Sequence, residues 1–231
     1  MGILFIVATP IGNLEDLTFR ALKLLKEVDL ILCEDTRVTR KLLERYEIKI
    51  PTLSYHQHSQ FKKIEYIIQL LKEGKNLALV SDAGTPGISD PGNKLINAVI
   101  ESLGGEVKII PIPGSCAATA AASVSGFPMD KFLFLGFPPT KRKRKKFFQE
   151  IAESEYPVVF YESPYRIIKS LKELKNSLDT KYNIQDTKIV VCRELTKKFE
   201  TIYRGNIDKV IKDIENDKIK GEFVVIVENK K

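Results

Sequence analysis

Cysteine and histidine are scarce in this chain of 231 residues, with three of the first and two of the second. Cys33, Cys116 and Cys192 lie far apart, are odd in number and form no C-x-x-C pair. That spacing argues against a disulfide framework and a cysteine-built zinc site. His56 and His58 stand two apart, but no carboxylate or cysteine accompanies them at ligand spacing, so no metal is expected. Long hydrophobic runs are also missing, and none approaches the ~20 apolar residues that span a bilayer. The apolar stretch 3–8 lacks a basic flank and a cleavage site, so it reads as a strand rather than a secretory signal. A cytoplasmic protein is expected. Two nucleotide signatures are absent. No G-x-G-x-x-G follows a predicted strand. Gly87 and Gly92 have P-loop spacing, but Asn93 stands where the lysine belongs; Lys94 comes one place late, and Leu95 rather than a Mg²⁺-binding hydroxyl follows it.

What remains is an ordinary globular composition, 43% hydrophobic, long enough for one large domain or two small ones. The formal net charge is +7. Much of the excess is local, in the run Lys141, Arg142, Lys143, Arg144, Lys145, Lys146. A basic balance of this kind raises the prospect of a polyanionic partner.

Residues 1–125 alternate apolar strands with amphipathic helices. Strands are predicted at 3–8, 29–33, 77–80 and 107–110, and helices at 14–26, 38–46, 61–73 and 93–101. The pattern predicts a mainly parallel sheet covered on both faces. Residues 126–231 have a different rhythm. Strands are predicted at 132–136, 158–161, 188–193, 199–205 and 222–228, with helices at 142–154, 165–178 and 207–216. The fourth of these strands follows the third as an antiparallel partner, which predicts a second α/β domain with a mixed sheet.

The richest segment is 81–92, S-D-A-G-T-P-G-I-S-D-P-G, between a continuous apolar strand and a helix. Its glycines allow close backbone approach to a ligand, and its prolines fix the loop beforehand. Ligands of open α/β sheets bind beyond the carboxyl ends of the strands. Asp90 and Pro91 read as a helix cap and first-turn proline. That leaves Asp82–Thr85 for function. A second turn, P-I-P-G-S-C, opens an alanine-rich helix. Its small residues suit either close helix–sheet packing or approach to a ligand, and Ser115 stands at the helix entrance.

Six segments occur in order: F-I-V-A-T-P-I-G-N-L-E-D-L, E-D-T-R, Y-H-Q-H, the 81–92 loop, P-I-P-G-S-C-A and F-Y-E-S-P-Y-R. Together they resemble the bacterial 16S ribosomal RNA cytidine 2′-O-ribose methyltransferases of the tetrapyrrole methylase superfamily, over essentially the whole chain. The resemblance implies two α/β domains with S-adenosylmethionine in the cleft between them, a homodimer, and the small ribosomal subunit as partner. It implies donor contacts at Pro10, Asp82, Thr85, Ser115 and Cys116, with further ones at Tyr161, Leu195 and Phe223. Many members of the family carry a helical tail thought to help bind the ribosome. This sequence stops soon after its last predicted strand, which shifts the expected RNA contacts to other basic surface.

A ribose hydroxyl is a poor nucleophile at neutral pH, so such a reaction gains from a base or a nearby cation. Glu34, Asp35, Glu162 and Glu194 are base candidates; Arg37, Arg166 and Arg193 are candidate phosphate or alkoxide partners. Each carboxylate has an arginine close in sequence, so structural ion pairs are the competing reading. The group Glu34, Asp35, Arg37 is favoured because it follows a strand's carboxyl end. The basic run precedes Phe147 and Phe148. It reads either as a phosphate-contacting loop with aromatics nearby or as a solvated helix face over two core rings. The first reading is preferred, with His56 and His58 lining the acceptor groove or capping their loop. Two alternatives share much of this sequence: a tetrapyrrole C-methyltransferase and a ribosome assembly factor without turnover.

Overall fold

The computed structural model describes residues 1–55, 61–90, 92–179 and 187–228. The chain divides into two compact units, Met1–Cys116 and Ala117–Lys231, each with its own sheet.

In the first unit, β1 (Ile3–Val7), β2 (Leu30–Cys33), β3 (Thr52–Ser54), β4 (Leu77–Val80) and β5 (Lys108–Ile112) form a sheet in the order β3-β2-β4-β1-β5. Every ladder is parallel. Parallel neighbours require crossovers, and these are α1 (Phe19–Leu25), α2 (Thr36–Arg45), α3 (Phe61–Lys72) and α4 (Gly92–Leu103). One face of the sheet packs Val7, Ile31, Ala78 and Val80 against Leu25 of α1 and Leu42 and Leu43 of α2. The opposite face packs Leu4, Ile6, Leu77 and Leu79 against Ile67 and Leu71 of α3 and Leu95 and Val99 of α4. Alternate residues of β4 therefore serve opposite layers, which is why the strand has no polar position.

Two local features depart from the sequence pattern. The helix expected over 14–26 is broken. Leu14–Asp16 forms a 3-10 turn capped by Asn13, and the chain then extends at Thr18. The Thr18 hydroxyl accepts the Ala21 N–H at 3.1 Å and starts α1. The short edge strand β3 was not expected from the pattern at all; its three residues are half-buried.

In the second unit, β6 (Leu133–Phe134), β7 (Val158–Glu162), β8 (Lys188–Arg193), β9 (Thr201–Asn206) and β10 (Phe223–Val227) form a sheet in the order β6-β7-β10-β8-β9. The β6–β7 ladder is parallel and the others are antiparallel. Helices α6 (Arg144–Glu153), α7 (Ile167–Asp179) and α8 (Ile207–Glu215) cover one face. There Phe148, Ile151, Leu171, Leu174, Val210 and Ile214 meet Val158, Phe160, Val191 and Val225. The other helix, α5 (Ala117–Ser125), packs on β7 and β10. The division at Cys116 falls before α5 rather than after Ser125 because Ala118, Ala121 and Ala122 are buried in this unit. Their small size serves close helix–sheet packing. No helix of the described residues is long and apolar enough to cross a membrane.

Candidate active site at the carboxyl end of the first sheet

The loops that follow β1, β2, β4 and β5 are joined by side chains of the sequence motifs. After β1, the Thr9 N–H donates to Gly84 O at 2.9 Å and the Gly84 N–H returns to Thr9 O at 3.0 Å. The buried Thr9 hydroxyl donates to Ser81 O at 3.0 Å, and the Ser81 hydroxyl donates to Gly84 O at 3.0 Å. These bonds fold the loop after β4 back across the end of β1. The fold-back needs φ +88° at residue 84, a left-handed conformation that glycine adopts without strain. Next to it, the Thr85 hydroxyl donates to Ser115 O at 3.0 Å and fastens the turn after β5. A Cβ on Gly114 would lie 2.9 Å from the Ala8 methyl, so that turn is held tight against the end of β1. The structure thus brings Pro10, Asp82, Thr85, Ser115 and Cys116 to one end of the sheet. The Pro10 ring is buried, Asp82 is exposed, and the other three are half-buried.

The loop after β2 joins through charge. Asp82 Oδ1 accepts the Asp35 N–H at 3.0 Å. Asp35 caps α2, taking the Arg37 N–H at 2.8 Å, and holds the Arg37 guanidinium at 2.6 Å. The Arg37 side-chain and backbone donors hold the Asp35 carboxyl down to about 2. Glu34 behaves oppositely. Burial, then the carboxylates of Asp90 and Asp82, push it up to about 7 against the opposing Asp82 backbone donor. Asp82 is itself raised, first by burial and then by Asp35 and Asp90, with the Asp35 N–H opposing. Asp90 Oδ1 accepts the N–H groups of Gly87 and Gly92, the first residue of α4. Glu34 is therefore suited to exchange a proton near neutral pH, whereas Asp35 is committed to capping and to its ion pair. The surrounding carboxylates favour a cationic ligand.

Several expected site residues take other roles. Glu162 is buried and cannot act as a base. Its carboxylate accepts the Ser163 N–H at 2.7 Å, the Arg166 guanidinium at 2.9 Å and the Ser170 hydroxyl. Arg166 is its structural partner. Arg144 is not an RNA contact: it is 7% exposed, with Nε 2.6 Å from Glu173 and Nη2 2.7 Å from the Ser170 hydroxyl. Phe147 and Phe148 belong to the core, which leaves Lys141, Arg142, Lys143, Lys145 and Lys146 as the exposed part of the run. The Phe223 side chain is 1% exposed in the same core, so a ligand contact through its ring is excluded. Glu194 pairs with Lys197 at 2.8 Å, while Arg193 pairs with Asp217 at 2.7 Å rather than with its sequence neighbour. Tyr161 accepts the Ala118 N–H at 3.1 Å, and Leu195 is half-buried. His56 and His58 lie outside the described residues.

Sequence reasoning passed over Thr9, Ser81 and Ser170. Thr9 and Ser81 sit at the ends of buried strands, where an isolated hydroxyl must find a backbone partner. Ser170 lies within an apolar helix face, next to Leu171.

A family model described as Tetrapyrrole (Corrin/Porphyrin) Methylases matches residues 4–211. The "Ribosomal RNA small subunit methyltransferase I" of Thermotoga maritima is 45% identical over 230 residues, covering 100% of both chains. The protein of the same name from Bacillus subtilis is 45% identical over 229 residues, covering 99% of this chain and 75% of the other. That from Synechocystis is 44% identical over 228 residues, covering 98% and 79%. Among solved structures, a cobalt precorrin-4 methyltransferase of cobalamin biosynthesis superposes with a TM-score of 0.71 at 18% identity, covering 97% of this chain and 94% of the other. A uroporphyrin-III-C-methyltransferase from Thermus thermophilus superposes with a TM-score of 0.66 at 17% identity, covering 98% and 94%. At these identities the solved structures establish the fold.

Proposed function

Because the chain belongs to the tetrapyrrole methylase family, we propose that it uses S-adenosylmethionine to methylate the ribose 2′-hydroxyl of a cytidine in the decoding centre of 16S ribosomal RNA. One observation carries the choice of RNA over a tetrapyrrole. Identity is 45% along the full length of a protein named as a small-subunit ribosomal RNA methyltransferase, against 17% and 18% to tetrapyrrole enzymes of the same fold. The reading places the protein in the cytoplasm with the small ribosomal subunit, and the family resemblance favours a homodimer.

The residues at the end of the first sheet fit this donor chemically. S-adenosylmethionine supplies an activated methyl on a cationic sulfonium and carries an ammonium group. The carboxylates of Asp82, Asp90 and Glu34 would supply the opposite charge to hold it, and the turns at Thr85, Ser115 and Cys116 would bring main chain beside it. Glu34, pushed up to about 7, is the residue to take the proton of the 2′-hydroxyl. The donor would supply the methyl carbon to the ribose oxygen and keep the electron pair of the broken carbon–sulfur bond on its sulfur. The products are the 2′-methoxy ribose and S-adenosylhomocysteine, with the proton on Glu34. Positioning and charge environment supply most of the acceleration in such a displacement.

The test is mass mapping of 16S RNA from cells lacking the protein. One decoding-centre cytidine should lose its ribose methyl, and purified protein with S-adenosylmethionine should restore it. An unchanged methylation map, or methyl transfer to uroporphyrinogen alone, refutes the proposal.

A further inference from the structure

The buried charge of the second unit lies beneath one surface loop. Glu162 ends β7, and its side chain is fully buried. Two arginines compensate it: Arg166 at 2.9 Å and Arg144 at 3.9 Å, with the Ser170 hydroxyl bridging Arg144 and Glu162. Neither arginine is used up by the carboxylate. Arg144 Nη1 donates to Pro139 O at 3.1 Å, and Arg166 Nη1 donates to Pro138 O at 3.3 Å. Two adjacent carbonyls of residues 137–143 are therefore clamped by guanidinium groups, Arg166 anchored on Glu162 and Arg144 on Glu173 at 2.6 Å and, through Ser170, on Glu162. Buried ion pairs often contribute no more stability than apolar residues of similar volume. What the ionic clamp adds is a fixed geometry for the loop, since planar guanidinium forks bond directionally.

The clamp holds an unusual surface. Phe137 is 52% exposed, and its ring packs edge-on against Tyr161 at 5.4 Å. Pro138 and Pro139 stiffen the backbone. Lys141, Arg142 and Lys143 follow, all exposed, with no acidic residue among positions 137–143. Lys143 takes φ +65°, a left-handed turn that ends the loop and starts α6. Beside Arg166, in the turn Ser163 opens, Tyr165 is 95% exposed. The Arg166 N–H and side chain both bond Ser163. Two exposed rings and three cations thus stand on two loops tied to the same network. Phosphates pair with such cations while unpaired bases stack on such rings, and a duplex offers its bases to neither.

We propose that Phe137, Tyr165, Lys141, Arg142 and Lys143 form a docking edge for single-stranded RNA, and that Glu162, Arg144 and Arg166 are the positioning residues that hold it in shape. The inference rests on the reading that the substrate is RNA, and it assigns Phe137 and Tyr165 the stacking role that the buried Phe147 and Phe148 cannot fill.

Fluorescence anisotropy with a labelled single-stranded oligonucleotide of decoding-centre sequence, repeated across salt concentrations, tests the edge. The double variant Phe137→Ala/Tyr165→Ala should bind roughly 10-fold or more weakly with an unchanged salt slope. The triple variant Lys141→Ser/Arg142→Ser/Lys143→Ser should reduce the slope by roughly 2, at about 0.7 per lost contact. Affinity for S-adenosylhomocysteine should stay unchanged in both. Arg144→Lys keeps the charge and loses the fork; it should raise KM for small ribosomal subunits several-fold while kcat holds. Wild-type affinity and salt slope in both surface variants overturn the proposal. So do equal affinity for the matching duplex, preference for an acidic peptide, and failure of the wild type to bind either the oligonucleotide or intact subunits. If the edge variants lose RNA but the wild type methylates no ribose, the proposed reaction fails and the docking edge stands. If methylation proceeds with unchanged KM in both surface variants, the edge fails and the reaction stands.

Discussion

Glu34→Gln separates two consequences of one carboxyl group. In the folded chain, burial and the Asp90 and Asp82 carboxylates push Glu34 from 4.5 up to about 7. The folded state therefore binds this proton more tightly than the unfolded state does. The stability so gained is complete below about pH 4.5 and is lost as pH rises through about 7. At about 1.36 kcal/mol per pH unit, the interval bounds the effect near 3 kcal/mol, and solvent screening of a half-buried group reduces it to roughly 1–2 kcal/mol. Glutamine carries no charge at any pH. Relative to the wild type, the variant should gain about 1–2 kcal/mol of stability between pH 5 and pH 9, read from urea unfolding at both ends. Turnover should move the other way. Loss of a positioned base lowers kcat by about 10²–10⁴-fold, and the rise of the wild-type kcat/KM through about pH 7 should vanish. A stability difference that does not change with pH refutes the electrostatic argument, and wild-type turnover in the variant removes Glu34 from the chemistry.

Two further substitutions probe the loops and the clamp. Asp82→Ala removes both a carboxylate from the proposed donor site and the acceptor of the Asp35 N–H. Calorimetry should show S-adenosylhomocysteine binding weakened roughly 10-fold, and unchanged affinity takes Asp82 out of the site. Ser170→Ala leaves Arg144 and Glu162 each short of a buried partner. Chemical denaturation should register a loss of about 1–3 kcal/mol, and a loss below about 0.5 kcal/mol contradicts the network's role.

Much of the first unit could be read directly from the chain. A strand buried on both faces has no choice but continuous apolar residues, and Leu77–Val80 announces itself that way. Thr52–Ser54 does not, because a three-residue edge strand with half-buried positions needs neither alternation nor a run. The break at Thr18 was hidden by helical spacing on both sides of it, although the threonine three places before Ala21 is a capping signal. The loops gathered at the end of the first sheet were legible from glycine, proline and aspartate content. The buried hydroxyls that fasten them were not, since Thr9 and Ser81 look unremarkable beside apolar strands. Arg144 was misread because a basic run suggests solvent throughout. Yet Arg144, Phe147, Phe148 and Ile151 repeat at three and four residues, the spacing of a single inward helix face. The period placed Arg144 inside, and the charge of its neighbours obscured it.

The two sheets impose the same kind of history on a nascent chain, since each closes by inserting a late strand between two earlier ones. In the first, β2 emerges before either of its neighbours, and β4 must then insert between β2 and β1, both of which precede it. In the second, β10 belongs between β7 and β8, both of which emerge before it. Some 30 positions separate the end of β8 from the start of β10. At about 5–20 residues per second, two apolar strand edges wait roughly 2–6 s for their common neighbour. During translation each half therefore passes through a stage in which open strand edges need shielding from aggregation.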